Sequence, residues 1–380
     1  MKKIGIVTIY DNNNYGNRLQ NYALQQYLVS LGFCVQTIKN IPYIDFRYGN
    51  FRFKLLYLKR LILNLPFFRT ITRRKEVAGW KSHLLQYNNC PQRYEAFSSF
   101  DEFISYYPNI IGYYNMKELN SQFDYFITGS DQVWNPLIGR GTGLDFLTFA
   151  DKKKRIAYAA SISLDSIPKK YHARFSRYLK GIKHISVREQ QAVEIINNEF
   201  GLSAICVIDP TMLITRDEWE ALAMKSIVYL PRRYVLCMFL GDKFKIDDIK
   251  EYASNNNCEI IWLNDKDNYD TYSFGPIDFL YAILHAQMIF TDSFHGCVFS
   301  IIFHTSFFAV NRKGKGKNMY SRIQGLLELF GLEDRQYVEG MSNDYKEIED
   351  SKWNMIDQVM ESEREKGAAF LSQAMKENQE

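Results

Sequence analysis

A short apolar run at 288–291 ends in side chains that can carry chemistry, DSFHG (292–296). If the run is a strand and a helix follows it, free N–H groups at the helix start can bind an anion. A histidine in this place can bind phosphate when protonated, or transfer a proton near neutral pH. The same pattern is also typical of a capped helix with a structural histidine, and the local sequence does not separate these two interpretations.

A second apolar run ends in a comparable cluster, ITGSDQVWNP (127–136). Ser130 and Asp131 could face a ligand here, or one of them could cap a helix. Ligands of α/β proteins bind beyond the carboxyl ends of parallel strands. Two such strand ends in one chain therefore favour a shared cleft.

Cations also follow predicted strands. Arg188 comes directly after the run 184–187, where it could bind a phosphate or carboxylate, or pair with Glu189 or another acid. A glycine-spaced basic loop, NRKGKGK (311–317), follows the run 307–310 and leads to Ser321 and Arg322. This loop suits an anionic ligand, although a solvated loop explains it equally well.

Several classes of site are poorly supported by the sequence. The first strand–helix turn, NYGNRLQ (14–20), has neither the dinucleotide fingerprint nor the Walker pattern. The six histidines lack metal-ligand spacing, and there is no D-x-D or G-x-S-x-G motif. We therefore expect no metal and no cofactor.

The elements that must position these residues alternate between strand-like and helix-like segments. The chain opens with a predicted strand at 3–10, a helix that stops at Gly32, and a strand at 33–38. Further apolar runs predict strands at 123–128, 155–160, 184–187, 204–208, 234–240, 259–263, 288–291 and 307–310. This alternation predicts the α/β class, with two Rossmann-like domains and a cleft between them.

The length of 380 residues favours two domains. Pro210 ends one apolar run and starts a turn, so we place the N-terminal domain at 1–209 and the C-terminal domain at 210–345. Residues 46–120 are less regular and more aromatic, which predicts a helical insertion in the first domain. Residues 346–380 are predicted to form a tail of one or two helices.

Composition and patterning indicate the compartment. Six scattered cysteines without a C-x-x-C pair favour reduced thiols. The N-terminal apolar run is too short for a signal peptide, and no run reaches about 18 apolar residues, so we expect a soluble cytoplasmic protein. Residues 46–75 carry nine Lys or Arg and no Asp or Glu, a composition that attracts anionic partners.

Five segments together resemble the polysaccharide pyruvyl transferases: NYGN (14–17), GSDQVWN (129–135), VRE (187–189), DPT (209–211) and TDSFHG (291–296). The resemblance spans roughly residues 1–335 and implies a GT-B-like arrangement of the two domains. It implies phosphoenolpyruvate as the donor. It also implies that two hydroxyls of a sugar, usually in a polysaccharide precursor, receive the pyruvyl group as a ketal.

The resemblance also implies roles for individual residues. The donor-binding histidine and arginine of the family match His295 and Arg188, and a basic residue after the next strand matches Arg312, Lys313 or Lys317. His295 is then an acid or a phosphate-binding cation, and Asp131 or Asp292 is the base for a sugar hydroxyl. The predicted donor contacts also include Ser293, Gly296 and Arg322; the predicted acceptor contacts are Asn14, Gly16, Asn17, Gln20, Ser130 and Gln132.

One position departs from the family pattern, because better-studied members carry arginine where this chain has Ser293. Another cation, Arg312 or Arg322, must replace it, or the donor differs. The alternative functions are a nucleotide-sugar glycosyltransferase on the same fold and a non-catalytic glycan-binding protein.

A lipid-linked acceptor would give residues 46–75 a role, as an interfacial segment at the inner face of an anionic membrane. A core helix with snorkelling cations explains the same composition. We expect no nucleic-acid partner.

Overall fold

A computed structural model describes residues 1–10, 13–39, 90–108, 116–241, 247–312, 320–340 and 345–377. The basic window 46–75, most of the predicted insertion 46–120, Lys313 and Lys317 lie outside these residues. Within the described ranges, no helix has the length and apolar character needed to cross a bilayer.

The first sheet has six parallel strands in the order β2-β1-β3-β4-β5-β6. They are β1 (Lys3–Val7), β2 (Cys34–Thr37), β3 (Tyr125–Thr128), β4 (Arg155–Ala160), β5 (His184–Val187) and β6 (Ile205–Cys206). The central strands β3 and β4 are buried at every position, as expected for a parallel sheet covered on both faces. The strand order reverses between β1 and β3, and α/β proteins bind ligands at such a point.

The second sheet has four parallel strands in the order β10-β9-β7-β8. They are β7 (Tyr234–Met238), β8 (Glu259–Leu263), β9 (Met288–Thr291) and β10 (Phe307–Ala309). Here the order reverses between β7 and β9. All ten strands lie within the ten predicted runs, and the prediction of an α/β fold with two Rossmann-like sheets is confirmed.

Twelve α-helices lie in the described residues. They are α1 (Tyr15–Ser30), α2 (Pro91–Ser99), α3 (Met116–Gln122), α4 (Lys169–Leu179), α5 (Gln190–Phe200), α6 (Arg216–Ala223), α7 (Asp247–Asn255), α8 (Tyr269–Tyr272), α9 (Pro276–Leu284), α10 (Phe294–Phe303), α11 (Tyr320–Phe330) and α12 (Asp350–Glu377).

Aromatic side chains pack the two halves of the chain against each other. Tyr15 of α1 stacks on Phe279 of α9 with ring centroids 4.6 Å apart. Tyr22 lies against Trp219, and Trp219 meets Phe299 edge to face at 4.9 Å. The largest apolar cluster contains residues of both sheets. The strand ends of both halves are therefore held at fixed distances from each other.

Arg93 of α2 adds a polar connection across the same junction. Its guanidinium donates to the Oδ1 of Asn13 at 2.7 Å, to the hydroxyl of Tyr15 at 2.8 Å and to the carbonyl of Tyr272 at 2.8 Å. A further bond reaches the Oδ1 of Asn264 at 3.1 Å. Because the side chain is buried, these bonds replace the water that it gives up. Arg93 thereby holds the loop before α1 against the second sheet.

The tail, predicted as one or two helices, is the single helix α12. The hydroxyl of Tyr125 in β3 donates to the carbonyl of Met375 at 2.7 Å. Near its other end, Trp353 stacks on His304 with ring centroids 4.8 Å apart. The helix thus contacts elements of both halves and restrains them relative to each other.

Candidate functional site

Strand ends of both sheets meet at His295, which lies in the first turn of α10. A Cβ atom added at Gly16 in α1 would lie 2.0 Å from the Nδ1 of His295, so the glycine allows this close approach. The Nε2 atom on the other side of the ring lies 3.7 Å from the Oδ2 of Asp209, just after β6. The β1–α1 turn, the end of β6 and the β9–α10 turn therefore share one site.

Asp209 is the centre of this site, and its role was not predicted. Its Oδ2 accepts hydrogen bonds from the Nη1 of Arg188 at 2.7 Å and from the Oγ of Ser130 at 3.0 Å. Its Oδ1 accepts from the backbone and the hydroxyl of Thr211, at 3.0 and 2.8 Å. Burial opposes ionisation, yet His295 and Arg188 hold the pKa of the Asp209 carboxyl well below its usual range. The side chain is thus a buried anion that holds Arg188 and lies beside the His295 ring.

A sequence signal for Asp209 did exist. The residue follows the run 204–208 directly, at the same sheet edge as the ends of β3 and β5. In sequence, Asp209 stands next to the expected domain boundary at Pro210. Its position after a strand would have justified counting it with Asp131 and Asp292.

Arg188 is held by acids but keeps unused donors. Besides its bond to Asp209, its Nη2 lies 3.5 Å from the Oδ1 of Asp131, and its Nε lies 4.0 Å from Glu189. Burial disfavours the charge, but the three neighbouring carboxylates, led by Asp209, raise the pKa of Arg188 above its ordinary value. Its buried Nε and Nη2 have no hydrogen-bond acceptor in the part of the chain that is described. These two nitrogens are available to a ligand.

Glu189, the residue after Arg188, binds the loop that follows β4. Its Oε1 accepts from the hydroxyl of Ser161 and from the backbone N–H groups of Ile162 and Ser163, at 2.8 to 2.9 Å. The carboxylate thereby anchors the loop after β4 beside Arg188. The acid that pairs closely with Arg188 is Asp209, at 2.7 Å.

The predicted acceptor residues Gln20 and Ser130 connect two turns. The backbone N–H of Ser130 donates to the Oε1 of Gln20 at 3.0 Å, and the Nε2 of Gln20 donates to the Oγ1 of Thr8 at 2.9 Å. All three residues are buried. They join the end of β1, the helix α1 and the end of β3 at the reversal in strand order.

The other predicted acceptor residues lie in the same two turns. Asn14 caps α1 by accepting the N–H of Asn17 at 3.2 Å. Asp131 has a positive φ of 62°, and its Oδ1 accepts the N–H of Gln132 at 2.8 Å. The Oε1 of Gln132 accepts from Asn135 at 2.9 Å. The assignment of these residues to the acceptor remains a prediction.

Asp292 is fully engaged by its surroundings. Its Oδ1 accepts the N–H of Leu240 at 2.6 Å, and its Oδ2 accepts from the N–H of Gly241 at 2.8 Å and from the Nε of Arg312 at 3.1 Å. Arg312 also donates to the carbonyl of Asp292 at 3.0 Å. The pair joins the loops after β7, β9 and β10, which favours a positioning role for both residues.

Ser293 and Gly296 shape the start of α10. The Oγ of Ser293 accepts the N–H of Gly296 at 3.3 Å, and α10 therefore begins at Phe294. A Cβ at position 296 would lie 2.7 Å from the Oγ1 of Thr291, so this glycine is needed for packing. Their contacts to a donor remain predictions.

A cavity of about 600 Å³ adjoins Asp209 and Arg188. Its wall includes Phe294 at the start of α10 and Arg322 in α11, and it extends to Lys366 of α12. The guanidinium carbon of Arg188 lies 4.5 Å from the centroid of the Phe294 ring, and that of Arg322 lies 5.8 Å from it. Two guanidinium groups, those of Arg188 and Arg322, thus line one cavity on either side of the Phe294 ring. Among the described residues, no cluster of His, Cys, Asp and Glu is placed to hold a metal ion.

Comparison with known proteins gives one match in sequence and several in structure. The family model for polysaccharide pyruvyl transferase matches residues 14–314. No curated protein matches the chain. Similar solved structures include the glycosyltransferase SnogD from Streptomyces nogalater, with 12% identity, 98% of this chain and 99% of that chain covered, and a TM-score of 0.41. A glycosyltransferase from Rickettsia africae has 11% identity, 97% and 99% coverage and a TM-score of 0.44. The UDP-N-acetylglucosamine 2-epimerase from Rickettsia bellii has 10% identity, 95% coverage of both chains and a TM-score of 0.41.

Proposed function

The chain belongs to the polysaccharide pyruvyl transferase family, and we propose that it transfers a pyruvyl group from phosphoenolpyruvate to two hydroxyls of a sugar, forming a ketal. One observation carries this proposal. The buried carboxylate of Asp209 holds Arg188 at 2.7 Å and lies 3.7 Å from His295, where both sheets meet. A fixed pair of cations suits a small donor that carries both a phosphate and a carboxylate.

The donor is bound through the unused nitrogens of this pair. Arg188 binds the phosphate or the carboxylate with its Nε and Nη2, which have no other acceptor among the described residues. The Nε2 of His295 is likewise buried without a hydrogen-bond partner there. A buried polar group without a hydrogen bond is unusual in a native structure, and a catalytic role is one explanation for it. His295 then faces the reactive end of the donor.

The reaction begins when His295 donates the proton on Nε2 to the methylene carbon of the donor. The C2 atom becomes oxocarbenium-like, and the first sugar hydroxyl attacks it while losing its proton. Phosphate then leaves with the C–O bonding pair, and the second hydroxyl closes the ketal. One hydroxyl proton replaces the proton that His295 lost, and the other leaves with the phosphate. The products are one ketal and one inorganic phosphate.

Asp131 is the better of the two predicted bases. Its Oδ1 accepts one hydrogen bond, and its Oδ2 has no partner among the described residues. Both oxygens of Asp292 are bound, by two backbone amides and Arg312. A carboxylate with a free oxygen can accept a hydroxyl proton without breaking existing bonds. Asp131 also lies beside Ser130 and Gln132, which we propose as acceptor contacts.

Transfer of labelled pyruvyl groups tests this function. The purified protein is incubated with phosphoenolpyruvate labelled with ¹⁴C in the pyruvyl carbons, together with glycans and lipid-linked sugars from the cell that encodes it. Label enters the glycan, and one phosphate is released per pyruvyl group. His295→Ala abolishes the incorporation. Sugar transfer from a nucleotide donor without pyruvyl uptake would overturn the proposal, as would glycan binding without either transfer.

We further propose that the acceptor is a lipid-linked precursor of a surface or capsular polysaccharide. The nine cations of residues 46–75 then bring the protein to the anionic inner face of the membrane. Flotation with liposomes that contain anionic lipid, at low salt, tests this contact. Equal flotation after all nine cations are neutralised would contradict it.

A further inference from the structure

Arg322 is a buried cation, with an exposed fraction of 9%. It forms no hydrogen bond or ion pair with any described residue, and its buried Nε has no acceptor there. Its contact in the site is the ring of Phe294, whose centroid lies 5.8 Å from the guanidinium carbon. The other buried guanidinium groups of this region are bonded to acids, Arg188 to Asp209 and Arg312 to Asp292.

This arrangement is costly in the absence of an anion. Removing a guanidinium from water without a compensating charge is unfavourable, and a like charge nearby adds repulsion. Burial first, and then Arg188 and Arg312, lower the pKa of Arg322 from its ordinary value to about 10, while Glu189 and Asp131 act in the opposite direction. The group is still charged at neutral pH. Neither carboxylate forms a hydrogen bond or ion pair with it, so its buried Nε keeps an unused donor among the described residues.

The cavity offers space for an anionic group beside two arginines, and its wall also carries four glutamates, Glu189, Glu194, Glu328 and Glu363. Arg188 and Arg322 both line it, and both lie beside the ring of Phe294. The cavity also reaches the carboxylate of Asp209, which orients Arg188. A small anion between the two guanidinium groups would satisfy Arg322 and the unused nitrogens of Arg188 together.

We propose that Arg322 supplies the second guanidinium of the donor site and so fulfils the role left open by Ser293. Ser293 caps α10 through its hydroxyl, and Arg312 is committed to Asp292 at 3.1 Å. Arg322 reaches the site from α11, which follows the last strand of the second sheet. It binds one anionic group of the donor while Arg188 binds the other. This inference rests on the proposed function, because phosphoenolpyruvate is taken as the ligand.

Binding measurements on Arg322→Met test the inference. Methionine keeps an extended apolar side chain but removes the guanidinium, so phosphoenolpyruvate affinity by calorimetry should fall about ten- to a hundredfold. Lys366→Gln removes a cation that lines the same cavity but is already paired with Glu363, and should change affinity less than twofold. Equal affinity of wild type and Arg322→Met would overturn the inference, even if pyruvyl transfer proceeds.

Thermal unfolding without ligand gives an independent result. Because the arginine is unpaired, Arg322→Met should unfold at the wild-type temperature or above it, and should lose the stabilisation that phosphoenolpyruvate or inorganic phosphate gives the wild type. A lower melting temperature than wild type would indicate a structural role and refute the inference. If inorganic phosphate stabilises the wild type through Arg322 but no pyruvyl transfer occurs with any glycan, the anion site stands and the proposed function fails.

Discussion

Replacing Asp209 with asparagine removes one buried charge while keeping the shape of the side chain. The carboxylate pairs with Arg188 at 2.7 Å and lies 3.7 Å from His295, and all three groups are nearly excluded from water. Removing one partner of a buried ion pair costs about 3–5 kcal/mol, because the other charge stays buried without compensation. We therefore expect the free energy of unfolding to fall by about this amount.

The same substitution has a defined pH dependence. The folded-state pKa of Asp209 is far below its unfolded value of about 3.9, so its contribution is complete above that value and decreases as pH falls. Between pH 5 and pH 3, the stability gap between wild type and Asp209→Asn should narrow by about 1 kcal/mol. A neutral carboxyl in the folded protein would give no such narrowing.

Urea denaturation at both pH values measures the gap from the shift of the midpoint at constant slope. Ser130→Ala is the matched control, because it removes an uncharged donor to the same Oδ2 and should cost about 1.5–3 kcal/mol. A cost for Asp209→Asn no greater than that of Ser130→Ala, or a gap that widens at pH 3, would refute the assignment of Asp209 as a buried anion.

Three further experiments test the His295 contact, the choice of base and the role of Arg93. Gly16→Ala places a Cβ against the His295 ring, so we expect kcat for pyruvyl transfer to fall at least about tenfold by steady-state kinetics; an unchanged kcat would contradict the contact. Asp131→Asn should lower kcat about 10²–10⁴-fold with little change in melting temperature, whereas Asp292→Asn should mainly lower the melting temperature; the reverse pattern would make Asp292 the base. Arg93→Met should lower the free energy of unfolding, measured in urea, by about 3 kcal/mol. Arg216→Met, which breaks only a partly exposed pair with Glu220, should lower it by less than about 1 kcal/mol. Equal costs would contradict the polar connection formed by Arg93.

The strands were predictable because each is a short apolar run bounded by polar or glycine-containing turns. Runs such as Tyr125–Thr128 and Met288–Thr291 are buried along their whole length, and burial on both faces of a parallel sheet demands that composition. The start of α10 at Phe294 is set locally, since Ser293 can cap a helix there only because the chain turns directly after β9.

The site was predicted only in part, for a physical reason. Proximity to a strand end is visible in sequence, and it singled out Arg188, Asp131 and His295, whose roles stay predictions. The partner of each side chain depends on which turns face each other across the two sheets. The approach of Arg188 and His295 to Asp209, and the lack of a hydrogen bond to Arg322 among the described residues, follow from that packing.

A crystal structure with phosphoenolpyruvate bound, and without acceptor, tests the central claim most directly. The account predicts donor oxygens at about 2.7–3.2 Å from both Arg188 and Arg322, with the methylene carbon about 3.5 Å from the Nε2 of His295. Asp209 keeps its bond to Arg188 in that complex. A donor bound elsewhere, with Arg188 and His295 both untouched, would contradict the claim.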